Sequence, residues 1–549
     1  MTTLEWRGVS VRYRSRADDP PAVDDVSLRI GSGESVGLAG ESGCGKSTLA
    51  ATALRLLPRS ATVSGEILVD GEDVTTMNWG RVRAVRWTAA AIVFQGAMHS
   101  LNPVRRIRWQ IAEALSLHAD ERWADQAARD RRVTELLARV ELPADRADAY
   151  PHELSGGQKQ RVMIAMALAC DPDIIIADEP TTALDVVVQA QVLQVLSELV
   201  SERGLTLIMI SHDLSVLAQV CQRLVVMQSG RIVEQGETAA VVADPQHPHT
   251  RELAAAFPTI GDERSRLRVG RAAREEEFDP DAVTRDRDRE LGAELLQVRD
   301  LVVDFRARGK RLRAVDHVSL GCRQGEVVAL VGQSGSGKTT LARTVLGLQR
   351  PTSGEVLFDG RPMPRGGAAL KAYRRKVQFV LQDPSGALNP KHTVLDAVAE
   401  GPRVHGLGGD EVERVSRALR AAELTPPERF LAALPQELSG GQRQRVVIAG
   451  ALALDPEYLV ADEPVASLDA SVRGEILGLL LNLRRTLGLG ALVITHDLGL
   501  AWNIADRVLV MRNGQIVEDG PVEQVLLDPQ HDYTKTLLAA APRGLGVPR

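Results

Sequence analysis

The sequence predicts two homologous α/β domains, each built on a largely parallel β-sheet, with a charged linker between them. Three observations predict this. A glycine-rich segment that begins at Gly40 recurs at Gly332, 292 residues further along the chain. Short apolar runs alternate with helical patterns in both halves, which is typical of domains with a parallel sheet. Between the halves, the 29 residues 262–290 include 10 acidic residues and eight arginines.

Composition and charge exclude several classes of protein. The net charge of −6 over 549 residues gives no overall basic surface, so no nucleic-acid partner is predicted. No apolar run approaches the roughly 18 residues that a membrane-spanning helix needs, and the N-terminus shows no signal-peptide core. The four cysteines lie far apart without a C-x-x-C pair, which favours a reducing compartment and argues against a zinc or iron–sulfur site.

Further repeats set the predicted domain boundaries. The strand pattern that begins at Leu4 returns at Leu296, and the motif LSGGQ occurs in each half. The first domain is predicted over 1–260, the linker over 261–293 and the second domain over 294–549. The linker is too charged to offset its ordering entropy by burial, so a solvated linker is favoured over an exposed helix face within a domain.

Within each half, apolar runs end in polar residues of three kinds. SVGLAG and VVALVG lead into glycine-rich loops, DIIIAD and YLVAD end in carboxylates, and LTLIMISHD and ALVITHD end in histidine. We interpret these runs as buried parallel strands, and residues 97–150 with their counterpart as mainly helical. Open α/β sheets bind ligands at the carboxyl ends of their strands, so we expect these polar residues to meet.

Both glycine-rich segments match G-x-x-x-x-G-K-[ST], the pattern of a phosphate-binding loop. Glycines let the backbone wrap a phosphate, so that N–H groups and a helix N-terminus face the negative charge. The lysines are predicted to reach the β- and γ-phosphates, and the hydroxyl residues that follow them to hold Mg²⁺. A plain glycine-rich turn is the alternative for one copy, but not for two copies that each follow an apolar strand. The predicted nucleotide-binding residues here are Gly40, Ser42, Gly43, Gly45, Lys46, Ser47 and Thr48, with Gly332, Ser334, Gly335, Gly337, Lys338, Thr339 and Thr340.

The first loop differs from the second at one position of chemical interest. Cys44 stands where the second loop has Ser336. One interpretation is a small residue at a variable position. The other is a thiol whose alkylation would block ATP at the first site alone.

Two acidic residues follow one another at the end of an apolar strand in each half. Asp178 and Asp462 are predicted to contact Mg²⁺. Glu179 and Glu463 come next and are predicted to polarise the attacking water as general bases, a role that typically contributes 10²- to 10⁴-fold to a rate. A strand that merely reaches solvent is the alternative, which the nearby phosphate loops disfavour.

The motif LSGGQ, at 154–158 and 438–442, predicts a second anion-binding element. Its serine and glycines precede a helical run, so a hydroxyl and two N–H groups lie at the positive end of a helix. Because each half already has its own phosphate loop, we expect this element to close over the nucleotide held by the other half. An ordinary helix N-cap is the alternative. The residues concerned are Ser155, Gly156, Gly157 and Gln158, with Ser439, Gly440, Gly441 and Gln442.

Histidine and glutamine complete the predicted catalytic set. His212 and His496 end apolar strands at equivalent positions and are predicted to sense the γ-phosphate, although a lone histidine there is more often structural. Gln95 and Gln382 follow AIVF and QFVL and are predicted to contact Mg²⁺ or the attacking water, with a surface glutamine as the alternative.

One aromatic residue in each half is a candidate for binding the base of the nucleotide. Tyr13 and Phe305 end the first strand pattern of their halves, where a ring can stack on adenine through its π-face. A core aromatic is the alternative.

In order and type, these motifs resemble the ABC ATPase family twice over. The resemblance implies two P-loop NTPase domains of ABC type, each with a RecA-like parallel-sheet core, an N-terminal antiparallel β subdomain and an α-helical subdomain. It also implies D-loops at 182–185 and 467–469, with Asp185 and Asp469 near nucleotide. ATP would be sandwiched at two composite sites, one formed by Lys46, Asp178, Glu179, Gln95 and His212 with Ser439, the other by Lys338, Asp462, Glu463, Gln382 and His496 with Ser155.

Narrower features resemble the oligopeptide, dipeptide and nickel importer group. They are HSLNPV and GALNPK after the glutamines, which are similar to that group's S-L-N-P segment, and the tails HPHTREL from His247 and HDYTKTL from His531. That group normally uses two separate ATPase chains, which are fused here. Many relatives carry a cysteine cluster after the first tail; this chain has none, so no iron–sulfur cluster is predicted.

The resemblance implies a function, cofactors and partners. The chain is expected to hydrolyse ATP with Mg²⁺ and to power import of peptides or similar small solutes, from the cytoplasmic face of a bacterial cell membrane. Its expected partners are two integral-membrane permeases docked near Gln95 and Gln382, and indirectly an extracytoplasmic solute-binding protein. The main alternative is a tandem-cassette ATPase that acts on ribosomes, whose linker would be longer and more basic. A DNA-repair ATPase and an exporter are weaker alternatives.

Overall fold

The computed structural model describes residues 2–13, 20–94, 96, 100–118, 123, 125–182, 184–256, 259–262, 266, 291–307, 310–466 and 468–541. The chain forms two compact units that divide between residues 257 and 258. The predicted site residue Gln95 lies outside the described residues, as do Ala183 and Ser467 of the predicted D-loops.

The strands of the first unit form two sheets. They are β1 (Leu4–Tyr13), β2 (Val23–Ile30), β3 (Ser35–Ala39), β4 (Ala61–Val69), β5 (Glu72–Asp73), β6 (Ala90–Val93), β7 (Ile174–Asp178), β8 (Thr206–Ser211), β9 (Arg223–Gln228) and β10 (Arg231–Glu237). The smaller sheet is antiparallel, in the order β2-β1-β4-β5. The larger has the order β10-β9-β3-β8-β7-β6 and is parallel except for β10.

The helices of the first unit cover the larger sheet and form a separate helical part. They are α1 (Lys46–Thr52), α2 (Trp79–Val85), α3 (Ile107–Leu117), α4 (Gln126–Arg139), α5 (Gly156–Ala167), α6 (Val186–Arg203), α7 (Leu214–Val220), α8 (Thr238–Ala243) and α9 (Pro248–Ala255). Single 3₁₀ turns at Ala144–Asp148 and Pro151–Glu153 lead into α5.

The second unit repeats this strand plan. Its strands are β11 (Glu294–Ala307), β12 (Lys310–Arg323), β13 (Val327–Val331), β14 (Ser353–Phe358), β15 (Arg361–Pro362), β16 (Val377–Val380), β17 (Tyr458–Asp462), β18 (Gly490–Thr495), β19 (Arg507–Arg512) and β20 (Gln515–Pro521). The antiparallel sheet has the order β12-β11-β14-β15, and the larger sheet β16-β17-β18-β13-β19-β20.

The helices of the second unit follow the same order along the chain. They are α10 (Lys338–Val345), α11 (Gly367–Lys376), α12 (Pro384–Ala387), α13 (Val394–His405), α14 (Glu411–Ala421), α15 (Gly440–Leu452), α16 (Ala470–Leu487), α17 (Leu498–Ile504), α18 (Val522–Leu527) and α19 (Asp532–Ala540). Val398, Leu419 and Ile448, from α13, α14 and α15, are fully buried in one apolar core. Each unit therefore has a parallel-sheet core, an antiparallel β sheet and a helical part, which confirms the predicted fold class.

The strand order brings the polar residues together. β8 pairs with both β3 and β7, and all three strands are buried along their whole length, as parallel strands covered on both faces are. β3 leads into the first glycine-rich loop, β7 ends at Asp178 and His212 follows β8. Because the strands are parallel, these three ends lie at one edge of the sheet, where ligands bind in such folds.

One residue of the predicted linker differs from the solvated segment expected there. Arg266 is buried in the second unit, where its guanidinium donates to Ala505 O at 3.0 Å and lies 5.3 Å from the ring centroid of Trp502. It also pairs with Glu523. A planar guanidinium can stack on an aromatic ring and pair with a carboxylate at the same time. The exposure predicted from the high charge of this segment is therefore wrong at Arg266.

Among the described residues, no helix is both long enough and apolar enough to cross a membrane.

Candidate functional site

The two glycine-rich loops require glycine at their helix starts. Gly45 precedes α1 with φ 103°, and a Cβ there would lie 2.2 Å from Ala22 O. Gly337 precedes α10 with φ 111°, and its Cβ would lie 2.2 Å from Ala314 O. Both the left-handed backbone and the close approach exclude any side chain. At these positions no side chain covers the backbone N–H groups, which is what a phosphate-binding loop needs.

The loop lysines are buried and point back at the start of their own loops. Lys46 Nζ donates to Gly40 O at 2.8 Å and to Glu41 O at 2.7 Å. Lys338 Nζ bonds the two equivalent carbonyls at 2.7 and 2.8 Å. Each ammonium thus lies inside the curve of the loop, where a phosphate oxygen could replace a carbonyl as its partner.

A hydroxyl and a carboxylate meet beside each loop. Ser47 Oγ donates to Asp178 Oδ1 at 3.0 Å, although the two residues are 131 positions apart. Burial raises the pKa of Asp178, and the Ser47 hydroxyl opposes this only in part. In the second unit, burial likewise raises the pKa of Asp462, opposed by the hydroxyl of Thr339. Hard oxygen donors of this kind fit Mg²⁺, which takes few protein ligands and completes its shell with phosphate oxygens and water.

Both predicted bases sit in an unusual backbone conformation. Glu179 has φ 45° and Glu463 has φ 46°, in the left-handed region that residues other than glycine seldom adopt. Each backbone N–H still continues the sheet, since Glu179 N donates to Ile210 O at 3.0 Å and Glu463 N to Ile494 O at 2.9 Å. Strain of this kind is concentrated at functional sites, where the surrounding structure over-determines it. Here the left-handed conformation directs the glutamate carboxylate toward the site at the end of the strand.

Each of these glutamates is paired with the predicted histidine sensor. His212 Nδ1 lies 3.2 Å from Glu179 Oε1, and His496 Nδ1 lies 2.9 Å from Glu463 Oε1. Burial alone raises the pKa of Glu179, but the hydrogen bond and charge of His212 lower it more, to about 2. The pKa of Glu463 is lowered in the same way, against burial, by His496. Both carboxylates are therefore ionised at neutral pH.

Gln382, which is predicted to contact Mg²⁺ or the attacking water, bonds the predicted base of its own unit. Gln382 Nε2 donates to Glu463 Oε2 at 2.7 Å, so both carboxylate oxygens of this glutamate have a partner. In the first unit the second oxygen of Glu179 accepts from Thr182 Oγ1 at 2.9 Å. Sequence analysis gave Thr182 no role of its own. Its position in the sequence is the signal that could have identified it. Thr182 lies three residues after Glu179, and the equivalent residue of the second unit is Ala466, which has no hydroxyl.

The predicted adenine-stacking residues lie on the antiparallel sheets, Tyr13 on β1 and Phe305 on β11, and Tyr13 lies next to its loop. Tyr13 Oη lies 3.2 Å from Thr48 Oγ1, the residue after the loop hydroxyl Ser47. Tyr13 and Phe305 are each 37% exposed, which fits a ring open to a ligand better than a core aromatic.

The two LSGGQ motifs form capping boxes at the starts of α5 and α15. Ser155 Oγ accepts from Gln158 N at 3.3 Å, while Gln158 Oε1 accepts from Ser155 N at 3.1 Å. Ser439 and Gln442 form the same pair at 3.2 and 3.0 Å. The cap expected as the alternative is thus real and leaves the anion-binding prediction open. The predicted pairing of Ser439 with the first site and Ser155 with the second stays a prediction.

The structure adds a packing reason for the second glycine of each motif. A Cβ at Gly157 would lie 2.0 Å from Val188 Cγ1, and one at Gly441 would lie 2.5 Å from Val472 Cγ1. Asp185, expected near nucleotide, caps the helix that bears Val188, because its side chain accepts from Val188 N at 3.1 Å. Asp469 stands at the equivalent N-cap position of α16.

The two loop positions that differ chemically are both buried. Cys44 Sγ lies 3.6 Å from Lys46 Nζ, and burial raises the pKa of this thiol despite the nearby ammonium. A buried, protonated thiol is a poor nucleophile. The environment therefore favours a small packed residue over a reactive thiol at this position.

Two family models match the chain, each of them twice. A model described as ABC transporter matches residues 23–182 and 315–466. A model described as oligopeptide/dipeptide transporter, C-terminal region, matches residues 233–281 and 517–545. Both matches repeat in the two halves, as the internal repeat of the sequence does.

Curated relatives match almost the whole chain. The glutathione import ATP-binding protein of Salmonella typhimurium (strain LT2) is 40% identical over 567 residues, covering 98% of this chain and 89% of that protein. The peptidoglycan transport ATP-binding protein of Agrobacterium fabrum (strain C58) is 42% identical over 555 residues, covering 98% and 96%. A solved dimeric structure of a bacterial ABC transporter cassette is 31% identical, with a TM-score of 0.39, and covers 42% of this chain and 99% of that one.

Proposed function

The chain belongs to the ABC transporter family of ATP-binding proteins, and on this premise we propose that it is the ATP-hydrolysing subunit of an importer of peptides or similar small solutes. The observation that carries the hydrolysis is the ionised glutamate, held by a histidine beside a phosphate loop, in both units. The cargo class is supported by the tail regions and by relatives named for glutathione and peptidoglycan transport.

The chemistry follows from the groups at each strand end. Loop N–H groups cradle the triphosphate, and Lys46 and Lys338 exchange a loop carbonyl for phosphate oxygens. A water oxygen forms a new bond to the γ-phosphorus while the bond to the bridging oxygen breaks and ADP leaves. Glu179 or Glu463 orients that water and accepts its proton. Such base catalysis typically contributes about 10²- to 10⁴-fold.

Magnesium is the metal that the donor set supports. Ser47 with Asp178 and Thr339 with Asp462 would hold it, with Gln95 and Gln382 as the proposed further contacts. When bound, Mg²⁺ neutralises charge on the β- and γ-phosphates. Gln382 bonds Glu463 directly, so this glutamine can hold the base and sense the metal from one position.

The assembly is proposed from the family. We expect nucleotide-binding domains over 1–260 and 294–549, joined by the linker 261–293, to drive two integral-membrane permeases from the cytoplasmic face of the membrane. A solute-binding protein would deliver cargo on the opposite side. The relatives, one named for import and one for transport, favour this function over the ribosome-acting alternative. A ribosomal role would leave the ATPase chemistry unchanged and alter only its partner.

Uptake in cells that express the chain natively tests the proposal. The chromosomal gene is replaced by one encoding the Glu179→Gln/Glu463→Gln double variant, and accumulation of labelled di- to pentapeptides and glutathione is compared with the parent strain. We expect at least one of these solutes to stop accumulating. If every solute accumulates at the parental rate while the purified parent chain hydrolyses ATP, peptide import is rejected and the ATPase assignment stands.

A further inference from the structure

Each unit ends in a tail segment, residues 244–255 and 528–540, that is anchored in the same way. Glu234, on the edge strand β10, accepts the backbone N–H groups of Gln246 and His247 at 2.9 and 3.0 Å. Glu518, on β20, accepts the two equivalent N–H groups at 2.7 and 3.2 Å. Both tails therefore turn off the sheet at a fixed point and begin a helix close to the phosphate loop of their own unit.

In the second unit the tail reaches that loop through one hydroxyl. Tyr533, at the start of α19, is buried, and its Oη accepts a hydrogen bond from Gln333 N at 3.0 Å. Gln333 directly follows Gly332, the first glycine of the loop. The ring of Tyr533 is fixed by Arg512, whose guanidinium carbon lies 4.9 Å from the ring centroid. A residue 200 positions away thus holds the loop backbone.

The start of the second loop is held from two sides. Lys338 takes the carbonyls of Gly332 and Gln333, at 2.7 and 2.8 Å, and Tyr533 takes the N–H of Gln333. If the lysine turns toward a phosphate, the tyrosine contact still fixes this part of the backbone. A binding loop that is already ordered loses less entropy when its ligand binds.

In the first unit the residue equivalent to Tyr533 is a histidine, which carries no hydroxyl. His249 occupies the equivalent position in the tail, is buried, and its Nε2 has no hydrogen-bond partner among the described residues. Burial lowers the pKa of His249. Among the charged neighbours, Glu41 and Glu252 raise this pKa, whereas His247 and Lys46 lower it further. The ring is therefore neutral at pH 7. The first loop keeps its lysine contacts, but among the described residues it has no counterpart of the Tyr533 contact.

We propose that Tyr533 is a positioning residue for the second phosphate loop, and that the first loop, with His249 in its place, binds ATP more weakly. The proposal rests on the ATP-binding role of both loops. In this proposal, the tail of the second unit orders the phosphate loop of the same unit. It also makes the two ATP sites unequal, although the predicted catalytic groups described in both units are alike.

Tyr533→Phe tests this, because it keeps the ring beside Arg512 and removes only the hydroxyl. In a full-length Lys46→Ala chain, where the first loop is disabled, titration with a fluorescent ATP analogue reports the second site. Without the hydroxyl the loop is less ordered before ATP binds, and binding then has to order it, so we expect the Kd to rise at least about fivefold. The chain with both loops intact should show a higher KM for ATP with kcat unchanged.

Hydrogen exchange gives a second readout on the nucleotide-free chain. The amide of Gln333 should exchange faster in Tyr533→Phe than in the parent chain, while the amides of β13 exchange at the parental rate. A tyrosine that matters only for folding would instead lower the melting temperature and speed exchange across the whole unit, and that result would overturn the proposal.

The first unit offers the reciprocal change. In a Lys338→Ala chain, which reports the first site, His249→Tyr installs the missing hydroxyl and should tighten ATP binding, whereas Tyr533→Phe should leave it unchanged. The proposal is wrong if Tyr533→Phe leaves the Kd of the second site within twofold of its parent, or if His249→Tyr fails to tighten the first. Failure of the Lys46→Ala chain to bind ATP at its second site would reject the proposed function instead.

Discussion

His496 Nδ1 lies 2.9 Å from Glu463 Oε1, across the ends of two adjacent parallel strands. This contact lowers the pKa of the carboxyl and raises the pKa of the imidazole against the effect of burial. The carboxyl is therefore ionised at neutral pH, and the imidazole keeps its proton to a higher pH than an ordinary histidine does. The same pair occurs in the first unit as Glu179 and His212, at 3.2 Å.

Removing the charge of these glutamates should abolish most hydrolysis. Glu179→Gln and Glu463→Gln keep the side-chain shape but cannot accept a proton, so the double variant should lose at least about tenfold in steady-state phosphate release, and up to about 10⁴-fold. Binding of a fluorescent ATP analogue is the control and should be retained. A near-normal rate in the double variant would show that neither glutamate is the base.

The motif glycines should be needed for helix packing as well as for any anion contact. Gly441→Ala brings a Cβ within 2.5 Å of Val472 Cγ1, and overpacking of this kind typically costs about 1–3 kcal/mol. Gly450→Ala is the matched control on the same helix, because its Cβ meets nothing within 4 Å. Alanine there should be neutral or stabilising by up to about 1 kcal/mol. Thermal unfolding of both variants without nucleotide should separate them, and equal melting temperatures would contradict the packing argument.

Cysteine labelling should follow burial. Burial raises the pKa of Cys221 and of Cys322 to about 12, and the pKa of Cys44 is raised as well. A raised pKa leaves less thiolate at a given pH, and the thiolate is the reactive form. Iodoacetamide at pH 8 should therefore modify half-buried Cys170 first, as followed by peptide mass spectrometry. Fast labelling of Cys44 in the folded chain would instead support the reactive-thiol interpretation of the first loop.

The exposed aromatics should contribute to base binding. Tyr13→Ala and Phe305→Ala each remove a ring that is 37% exposed, and aromatic pairs are worth about 0.5–1.5 kcal/mol beyond area. ATP should bind about two- to tenfold more weakly at the affected site. Tyr13→Phe keeps the ring and should bind normally. If triphosphate without a base loses as much affinity as ATP in the alanine variants, adenine stacking is excluded.

Strong local patterns predicted the fold, and they predicted that polar residues from several strands meet at one edge of the sheet. The apolar runs that end in Asp178 or His212 predicted buried strands directly. The two glycine-rich loops, which lie 292 residues apart, predicted the internal repeat. Two contacts that the sequence did not reveal depend on residues that are far apart in the chain. The bond between Tyr533 and Gln333 and the packing of Gly157 on Val188 need the folded tail and the neighbouring helix. No local pattern encodes either contact.

Charge patterning also misled at one residue. The arginine-rich segment predicted solvent exposure throughout, yet Arg266 is buried against Trp502 and Glu523. The sequence alone does not show that the ring of Trp502 and the carboxylate of Glu523 lie together where they can bind this arginine.

The most direct test of the central claim is affinity purification of the tagged full-length chain from gently solubilised native membranes, with mass spectrometry of the proteins that accompany it. We predict two multi-pass permeases, and with them an extracytoplasmic solute-binding protein whose own ligand would then narrow the cargo. Recovery of ribosomal proteins with no membrane protein would contradict the account and assign the ATPase to translation.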